Sequence, residues 1–350
     1  MKLTYTLLPL TAIAFAAALQ AQVPSNIAKE LVTIGRGVCV PETTKIYLPL
    51  HPQPPYKDVT ITRDVKFGPD AMDVADVFEP EKGGGNRPVL IYVSGGAGNK
   101  LANGPEGIFY DNIMMWAVKN GMVGVNMQRH PDTTGDYYGT AKAVGMVVEW
   151  VQMNIASHKG NPGRVFIWSQ SAGNQPVANY IGHADLYGPK GVGLKGAVFM
   201  SSPGFNILPA TPPQQQGGFG EPCKDPETGQ PAAQAARGGG PGAGRGTGRG
   251  AGARGGGRGR APVDEATNLS RSDLQGLVNS KLPFIVSSAE LDPPSVIAFA
   301  ETFRDALTKA GRAPTYLTFK DHSHISEVES IGTKDTSVSG PILKWMKSVK

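Results

Sequence analysis

Cysteine is almost absent from this sequence of 350 residues, which contains only Cys39 and Cys223. Neither cysteine has the spacing of a metal site, so a zinc cluster held by cysteines is excluded. A single pair suits a protein exported to an oxidising compartment, where one disulfide could form. Such a bridge would tie the segment around Cys223 to the N-terminal part of the core, and two unpaired thiols are an equally open alternative.

Long hydrophobic runs are also absent, apart from one near the N-terminus. The apolar residues 7–19 follow Lys2 and precede Gln20 and Ala21, which is the order of charge, apolar stretch and small residue typical of a secretory signal. This run is shorter than the roughly 20 apolar residues that a bilayer core requires. We expect residues 1–21 to be a signal peptide cleaved after Ala21, and the mature protein to be periplasmic or extracellular with no integral membrane span. A retained N-terminal anchor is the alternative.

Acidic residues are missing between Glu227 and Asp264, a stretch that contains six arginines. Without those six, the formal net charge of +5 becomes −1, so the rest of the chain is nearly neutral. The overall basicity therefore says nothing about the substrate, and no nucleic-acid partner is expected.

The same region is poor in large apolar side chains. Residues 209–262 consist mainly of glycine, proline, glutamine, alanine and arginine, which cannot bury enough apolar surface to offset the entropy lost on ordering. We expect a disordered insertion here. A solvated tether is the favoured role; weak contact of the Arg-Gly tract with anionic polysaccharide or a cell surface comes second, and RNA binding third.

The remaining sequence alternates between strand-like and helix-like segments. Short strands at 45–50, 59–65 and 73–78 predict an antiparallel lead-in. The continuous apolar run at 88–93 is typical of a strand buried on both faces. The alternation that follows predicts an α/β domain with a mostly parallel central sheet and helices on both faces. Helices are predicted at 110–119, 140–156, 174–181, 296–309 and 341–349, and strands at 122–126, 164–168, 196–200, 282–286 and 316–319.

A sharp turn at 169–173 must connect one of these strands to the next helix. Its sequence, Ser-Gln-Ser-Ala-Gly, has the spacing of a nucleophile elbow, in which the central Ser171 is held in strained backbone geometry with its hydroxyl above the sheet. The small residues Ser169 and Gly173 let strand and helix approach closely. The plainer alternative is a serine-rich turn in which Ser171 only caps the helix.

The segment GRVFIWSQSAG at 163–173 resembles the corresponding stretch of bacterial carboxylesterases of the α/β-hydrolase superfamily, of the hormone-sensitive-lipase-like or feruloyl-esterase-like kind. The resemblance extends over about 74–350 without the insertion, and it departs from the family at Ser169, where glycine is usual. It implies an α/β-hydrolase domain in two parts, 22–208 and 263–350. Because the insertion stands where many relatives carry a folded cap, we expect an exposed active site.

The loop at 94–98, Ser-Gly-Gly-Ala-Gly, follows the buried strand directly. Glycines there leave backbone N–H groups free to face a substrate, and the tetrahedral intermediate of acyl transfer needs two such donors. The resemblance implies that the amides of Gly95, Gly96 and Ala172 form an oxyanion hole, with Ser94 in place of the family's histidine. A glycine-rich loop that merely turns the chain is the alternative.

An acid follows the late strand, in the phrase SSAELDP at 287–293. Acids at the carboxyl end of a sheet strand lie on the ligand side of such folds. The resemblance implies that Asp292 orients the catalytic histidine. Glu290 is the alternative, because either carboxylate could hold an imidazole tautomer, and a helix-capping acid is the structural alternative.

Two candidates for the catalytic base, His322 and His324, lie in KDHSHIS at 320–326, just after the last predicted strand. A serine hydroxyl is inert near neutral pH unless a base takes its proton, and histidine suits that task. His324, which is followed by Ile325, matches the family's pattern better than His322 does. The other four histidines do not follow the last strand and are expected at the surface.

These parts predict a serine carboxylic-ester hydrolase that acts on a small-molecule ester through an acyl-enzyme, without metal or organic cofactor. The order Ser171, Asp292, His324 along the chain is the α/β-hydrolase order. A peptidase or dienelactone-type hydrolase on the same fold is one alternative. A catalytically dead hydrolase scaffold used for binding is another.

Overall fold

The computed structural model describes residues 22–102, 104–130, 134–213, 220–232 and 263–350. The predicted signal peptide and most of the predicted insertion, residues 214–219 and 233–262, lie outside the described residues. Within the described ranges, no helix is both long and apolar enough to cross a membrane.

An eight-stranded sheet forms the centre of the molecule, in the order β1-β2-β4-β3-β5-β6-β7-β8. The six strands from β4 to β8 run parallel, and β1 and β2 add to them in antiparallel fashion. This confirms the predicted α/β architecture and its antiparallel lead-in. The strands are β1 Val59–Lys66, β2 Val74–Pro80, β3 Arg87–Val93, β4 Val123–Met127, β5 Gly160–Gln170, β6 Gly196–Met200, β7 Phe284–Leu291 and β8 Thr315–Ser323.

Helices cover both faces of the sheet, because its central strands are apolar on both sides. In β3, Val89 and Ile91 face one hydrophobic cluster, whereas Leu90 and Tyr92 face another. The first cluster includes side chains of the helices at 139–154, 174–182 and 294–309, and the second includes those of the helices at 108–119 and 339–348. The helices are α1 Ser25–Ile34, α2 Val40–Tyr47, α3 Ile108–Lys119, α4 Gly139–Asn154, α5 Asn174–Gly182, α6 Glu265–Ser270, α7 Leu274–Asn279, α8 Pro294–Lys309, α9 Ser326–Glu329 and α10 Ser339–Ser348.

The N-terminal region corrects one prediction. Residues 45–50 were expected to form a strand, but they belong to the end of α2 and a following 3₁₀ turn. Pro41 in the first turn, where its missing N–H costs nothing, starts this helix, and Glu42 and Lys45 suit its N- and C-terminal ends. The side chain of Tyr47 is buried and packs this helix against the core. Apolar residues that recur every two positions over so short a stretch fit either structure, and packing decides between them.

Part of the predicted insertion has defined structure. Cys223 forms a disulfide with Cys39 and thereby joins the segment 220–232 to the N-terminal helices. The backbone N–H of Glu221 donates to the Arg36 carbonyl at 3.2 Å, and that of Lys224 to the Ile34 carbonyl at 3.1 Å. In residues 220–232 the structure therefore differs from the expected disorder, because a covalent bond and backbone pairing replace the missing apolar core.

Candidate active site

The turn between β5 and α5 has the geometry of a nucleophile elbow. Ser171 lies at its apex with a positive φ of 51°, a backbone conformation that a non-glycine residue rarely adopts. A Cβ on Gly173 would lie 2.4 Å from the Val93 carbonyl oxygen, so only glycine lets the helix start so close to β3. Ser169, the departure from the family's glycine, has its hydroxyl oxygen 3.0 Å from the Val198 carbonyl and 2.8 Å from Asn174 Oδ1, and the two acceptors share its one proton. The substitution thus adds bonds that hold the elbow.

Three distant loops bring a hydroxyl, an imidazole and a carboxylate together. The Oγ of Ser171 lies 2.9 Å from His324 Nε2, and His324 Nδ1 lies 2.7 Å from Asp292 Oδ1. With the imidazole proton on Nδ1, Ser171 donates to Nε2 and Nδ1 donates to Asp292. His324 and Asp292 are buried, whereas Ser171 is half-buried and reachable from solvent. The structure therefore joins the three residues predicted for the triad.

Asp292 is held in place by two further donors. Its Oδ2 accepts the Ser201 hydroxyl at 2.6 Å and the Ala289 backbone N–H at 2.7 Å. These bonds leave Oδ1 directed at His324 and satisfy an otherwise costly buried charge. Ser201 follows β6 with a positive φ of 45°, which places its hydroxyl beside the end of β7.

The two alternative residues lie elsewhere. Glu290 is exposed and accepts the backbone N–H of Asp321 at 2.8 Å. His322 is buried with its ring between the hydroxyls of Ser326, at 3.1 Å, and Ser337, at 2.7 Å. Neither side chain contacts Ser171 or joins its hydrogen-bonded series. The direction in which each side chain leaves its loop therefore distinguishes it from its neighbour, Asp292 or His324.

The glycine loop after β3 approaches the nucleophile closely. A Cβ on Gly95 would lie 2.8 Å from Ser171 Cβ and 2.5 Å from Gln170 Oε1. Gly96 has a positive φ of 54°, and the Gly95 carbonyl accepts the Gly98 N–H at 3.0 Å in a tight turn. The loop therefore brings its backbone directly against the turn that carries Ser171.

Arg129, which sequence reasoning missed, fixes the orientation of this loop. Its Nε donates to the Ser94 carbonyl at 3.2 Å, and its Nη2 donates to the carbonyls of Gly95, at 3.3 Å, and Gly96. A trans peptide points its N–H opposite to the preceding C=O. Three carbonyls turned towards Arg129 thus turn the N–H groups of Gly95, Gly96 and Ala97 away from it.

The guanidinium of Arg129 binds backbone carbonyls and not a carboxylate. Among the described residues, no carboxylate forms an ion pair with it, and burial lowers its pKa from the ordinary arginine value. A half-buried guanidinium is thus bound mainly by main-chain oxygens of one loop. Its position just after β4, the neighbour of β3 in the sheet, is the sequence signal that could have identified it, because parallel strands end at one edge.

A second carboxyl beside the triad was also missed. Glu327 lies in α9, three residues after His324, and its side chain is fully buried. Burial raises the pKa of this carboxyl well above its usual range, and the nearby Asp292 charge raises it further. Its sequence neighbourhood, SEVES, suggests an exposed helix and gives no signal of burial.

Two groups of described residues are close enough to hold a metal ion. One comprises Asp292, His324 and Glu327, but both ring nitrogens of His324 already have the partners Ser171 and Asp292. The other contains Cys39 and Cys223, whose sulfurs are joined to each other. Neither donor set therefore fits a metal as it stands.

Comparison with known proteins gives two kinds of likeness. No family model matches the chain. Human cocaine esterase is 33% identical over 134 residues, which are 36% of this chain and 22% of that protein. Mouse acylcarnitine hydrolase is 30% identical over 135 residues, with the same coverage. The matches thus span about a fifth of the length of these relatives.

The likeness to solved structures extends over most of this chain. A thermostable esterase from Pseudomonas putida superposes with a TM-score of 0.57 at 12% identity and covers 94% of this chain and 98% of that one. This likeness shows the α/β-hydrolase fold, as predicted. At such low identity it carries the fold and not the activity.

Proposed function

We propose that this chain is a serine carboxylic-ester hydrolase, with Ser171 as nucleophile, His324 as base and Asp292 as the acid that orients the base. One observation carries the proposal: the hydrogen-bonded series Ser171–His324–Asp292, with spacings of 2.9 and 2.7 Å, beside a glycine loop. Neighbouring groups of this kind can activate a hydroxyl that is otherwise inert. The short matches to cocaine esterase and acylcarnitine hydrolase support the same chemistry.

In the first half-reaction, His324 Nε2 takes the proton of Ser171 while Oγ attacks the ester carbonyl carbon. The carbonyl oxygen gains negative charge, which the N–H groups of Gly95, Gly96 and Ala172 would receive. The imidazolium then gives its proton to the departing alcohol oxygen, and the acyl group remains on Ser171. Asp292 stabilises the imidazolium that exists between these two transfers.

In the second half-reaction, water replaces the alcohol. His324 takes a proton from the water as its oxygen attacks the acyl-enzyme, and the same amides hold the second oxyanion. Collapse of the intermediate returns the proton to Ser171 Oγ and releases the carboxylic acid.

An extracytoplasmic location is part of the proposal. It is supported by the N-terminal sequence pattern and by the disulfide between Cys39 and Cys223, a bond that persists in oxidising compartments. Mass spectrometry of the protein isolated from its host should find the N-terminus after Ala21. An intact Met1 on the isolated protein would contradict export.

The decisive experiment is labelling with a fluorophosphonate, which reacts only with an activated serine. The wild-type protein should be labelled and should hydrolyse para-nitrophenyl esters, whereas Ser171→Ala should lose the label and about 10⁴-fold or more of the turnover. Ser288→Ala, at a buried serine of β7, is the matched control and should keep both. Full activity and labelling of purified Ser171→Ala would overturn the proposal.

A substrate series then separates the reaction classes. Para-nitrophenyl esters of increasing chain length, feruloyl esters and acetylated sugars test the acid and alcohol parts, and matching anilides test for peptidase activity. Faster cleavage of anilides than of esters would contradict the assignment to esters. Labelling without turnover of any of these compounds would favour a different acyl substrate class and would contradict the proposed esterase.

A further inference from the structure

Glu327 is a buried acid for which the mechanism has no use. None of its surface is exposed, and neither carboxyl oxygen has a hydrogen-bond partner among the described residues. An ionised carboxylate in such a place is very costly, and proteins usually avoid the cost by pairing the charge or by binding a proton. No described lysine or arginine forms an ion pair with it. The environment therefore favours the neutral form.

Glu327 lies next to both Asp292 and His324. One of its carboxyl oxygens, one carboxyl oxygen of Asp292 and one ring nitrogen of His324 all lie within 4.8 Å of one another. Other polar groups near it come from three strands or their ends: Tyr92 of β3, Gln170 of β5 and Ser201 after β6. Ser201 and Gln170 lower the pKa of Glu327, but by less than burial and the charge of Asp292 raise it. The titratable groups around it are thus Asp292, His324 and Tyr92, and only Asp292 among them adds a second negative charge.

We propose that Glu327 carries a proton, so that Asp292 holds the only negative charge beside His324. When the charge of Asp292 is removed, Glu327 releases its proton to solvent and becomes the negative partner of the imidazolium. The kinetic part of this inference rests on the proposed function, whereas the protonation of Glu327 does not.

Charge balance during the reaction is the physical reason for the arrangement. His324 alternates between a neutral and a positive ring, and one carboxylate balances that single charge. A second ionised carboxylate at this distance would hold the proton on the ring and oppose its return to the leaving group. Two carboxyls so close together titrate as a pair, so the loss of one charge favours ionisation of the other.

Infrared spectroscopy tests the proton directly. The wild-type protein near neutral pH should show the C=O stretching band of a protonated carboxylic acid that is missing from Glu327→Gln. Glu329→Gln, which changes the other buried acid of α9, identifies the contribution of that residue. If Glu327→Gln removes a carboxylate band instead, Glu327 is ionised and the inference is wrong.

Kinetics tests the second part. Glu327→Gln, which keeps a neutral side chain of the same shape, should retain kcat/KM and the pH midpoint of its acid limb. Asp292→Asn should lose activity. The double variant Asp292→Asn with Glu327→Gln should have a kcat/KM lower again by about tenfold or more, because it also lacks the negative charge that Glu327 supplies in Asp292→Asn. Asp292→Asn with Glu329→Gln is the matched control and should equal Asp292→Asn alone.

The outcomes separate this inference from the proposed function. Equal activity of Asp292→Asn with and without Glu327→Gln would overturn the inference while leaving the esterase intact. A shift of the acid limb to lower pH in Glu327→Gln would also overturn it, because it would reveal a lost negative charge. Full activity of Ser171→Ala would overturn the proposed esterase function, but it would not affect the protonation of Glu327 measured by infrared spectroscopy. If the glutamine variant does not fold, Glu327→Met supplies a neutral side chain of similar length for the same comparisons.

Discussion

The guanidinium of Arg129 donates to the carbonyl of Gly96. The backbone N–H groups of this loop point away from the guanidinium, because each lies opposite the carbonyl of its own peptide. The same guanidinium also binds the carbonyls of Ser94 and Gly95. A single side chain thus orients three successive peptide planes next to Ser171.

We expect Arg129→Met to lower kcat about 10- to 100-fold, because misaligned amides lose much of their stabilisation of the oxyanion. KM should change little, since the loop acts mainly in the transition state. Steady-state kinetics on a para-nitrophenyl ester measures both constants. Arg164→Met is the control, because Arg164 donates only to backbone carbonyls of the C-terminal segment. An unchanged kcat in Arg129→Met would show that the loop keeps its orientation without the guanidinium.

Gly95→Ala should abolish most activity, by about 100-fold or more, because the new Cβ would lie 2.8 Å from Ser171 Cβ and must displace the loop or the elbow. Gly84→Ala is the matched control, since a Cβ there meets nothing within 4 Å. Turnover and thermal unfolding should be measured together. Loss of activity with an unchanged melting temperature locates the effect in the site. Normal turnover by Gly95→Ala would contradict the close approach.

His322 should make the fold sensitive to acid. Burial lowers the pKa of this imidazole from 6.5 to about 4, against the opposing charge of Asp335. Between these values the unfolded chain binds a proton that the folded chain does not, so the free energy of unfolding decreases as the pH falls from about 6.5 to about 4. The contribution is complete above pH 6.5 and is lost towards pH 4.

Urea unfolding at pH 7.5 and pH 5 of the wild type and of His322→Gln measures this contribution by difference. The wild type should lose on the order of 1–2 kcal/mol more than the variant between these two pH values. Other buried acids titrate equally in both proteins and cancel. An equal loss of stability in the two proteins would show that His322 is not protected from protonation.

Much of the architecture was readable from the sequence because its signals are local. The apolar runs of β3 and β6 and the small residues around Ser171 each act within a few residues, and they predicted the central sheet and the elbow. The N-terminal region was misjudged for the same reason. Residues 45–50 have no strong local preference, and the packing of Tyr47 against its neighbours selects the helix.

By itself, then, the sequence determined the alternation of strands and helices and the place of Ser171 in the sharp turn between a strand and a helix, since both follow from residue type and short spacing. Tertiary structure alone decided that Asp292 and not Glu290 meets His324, and that Arg129 and Glu327 gather around them. These side chains come from the ends of different strands. Their distances depend on strand order and on the direction in which each side chain leaves its loop, and neither quantity is encoded in any short stretch of residues.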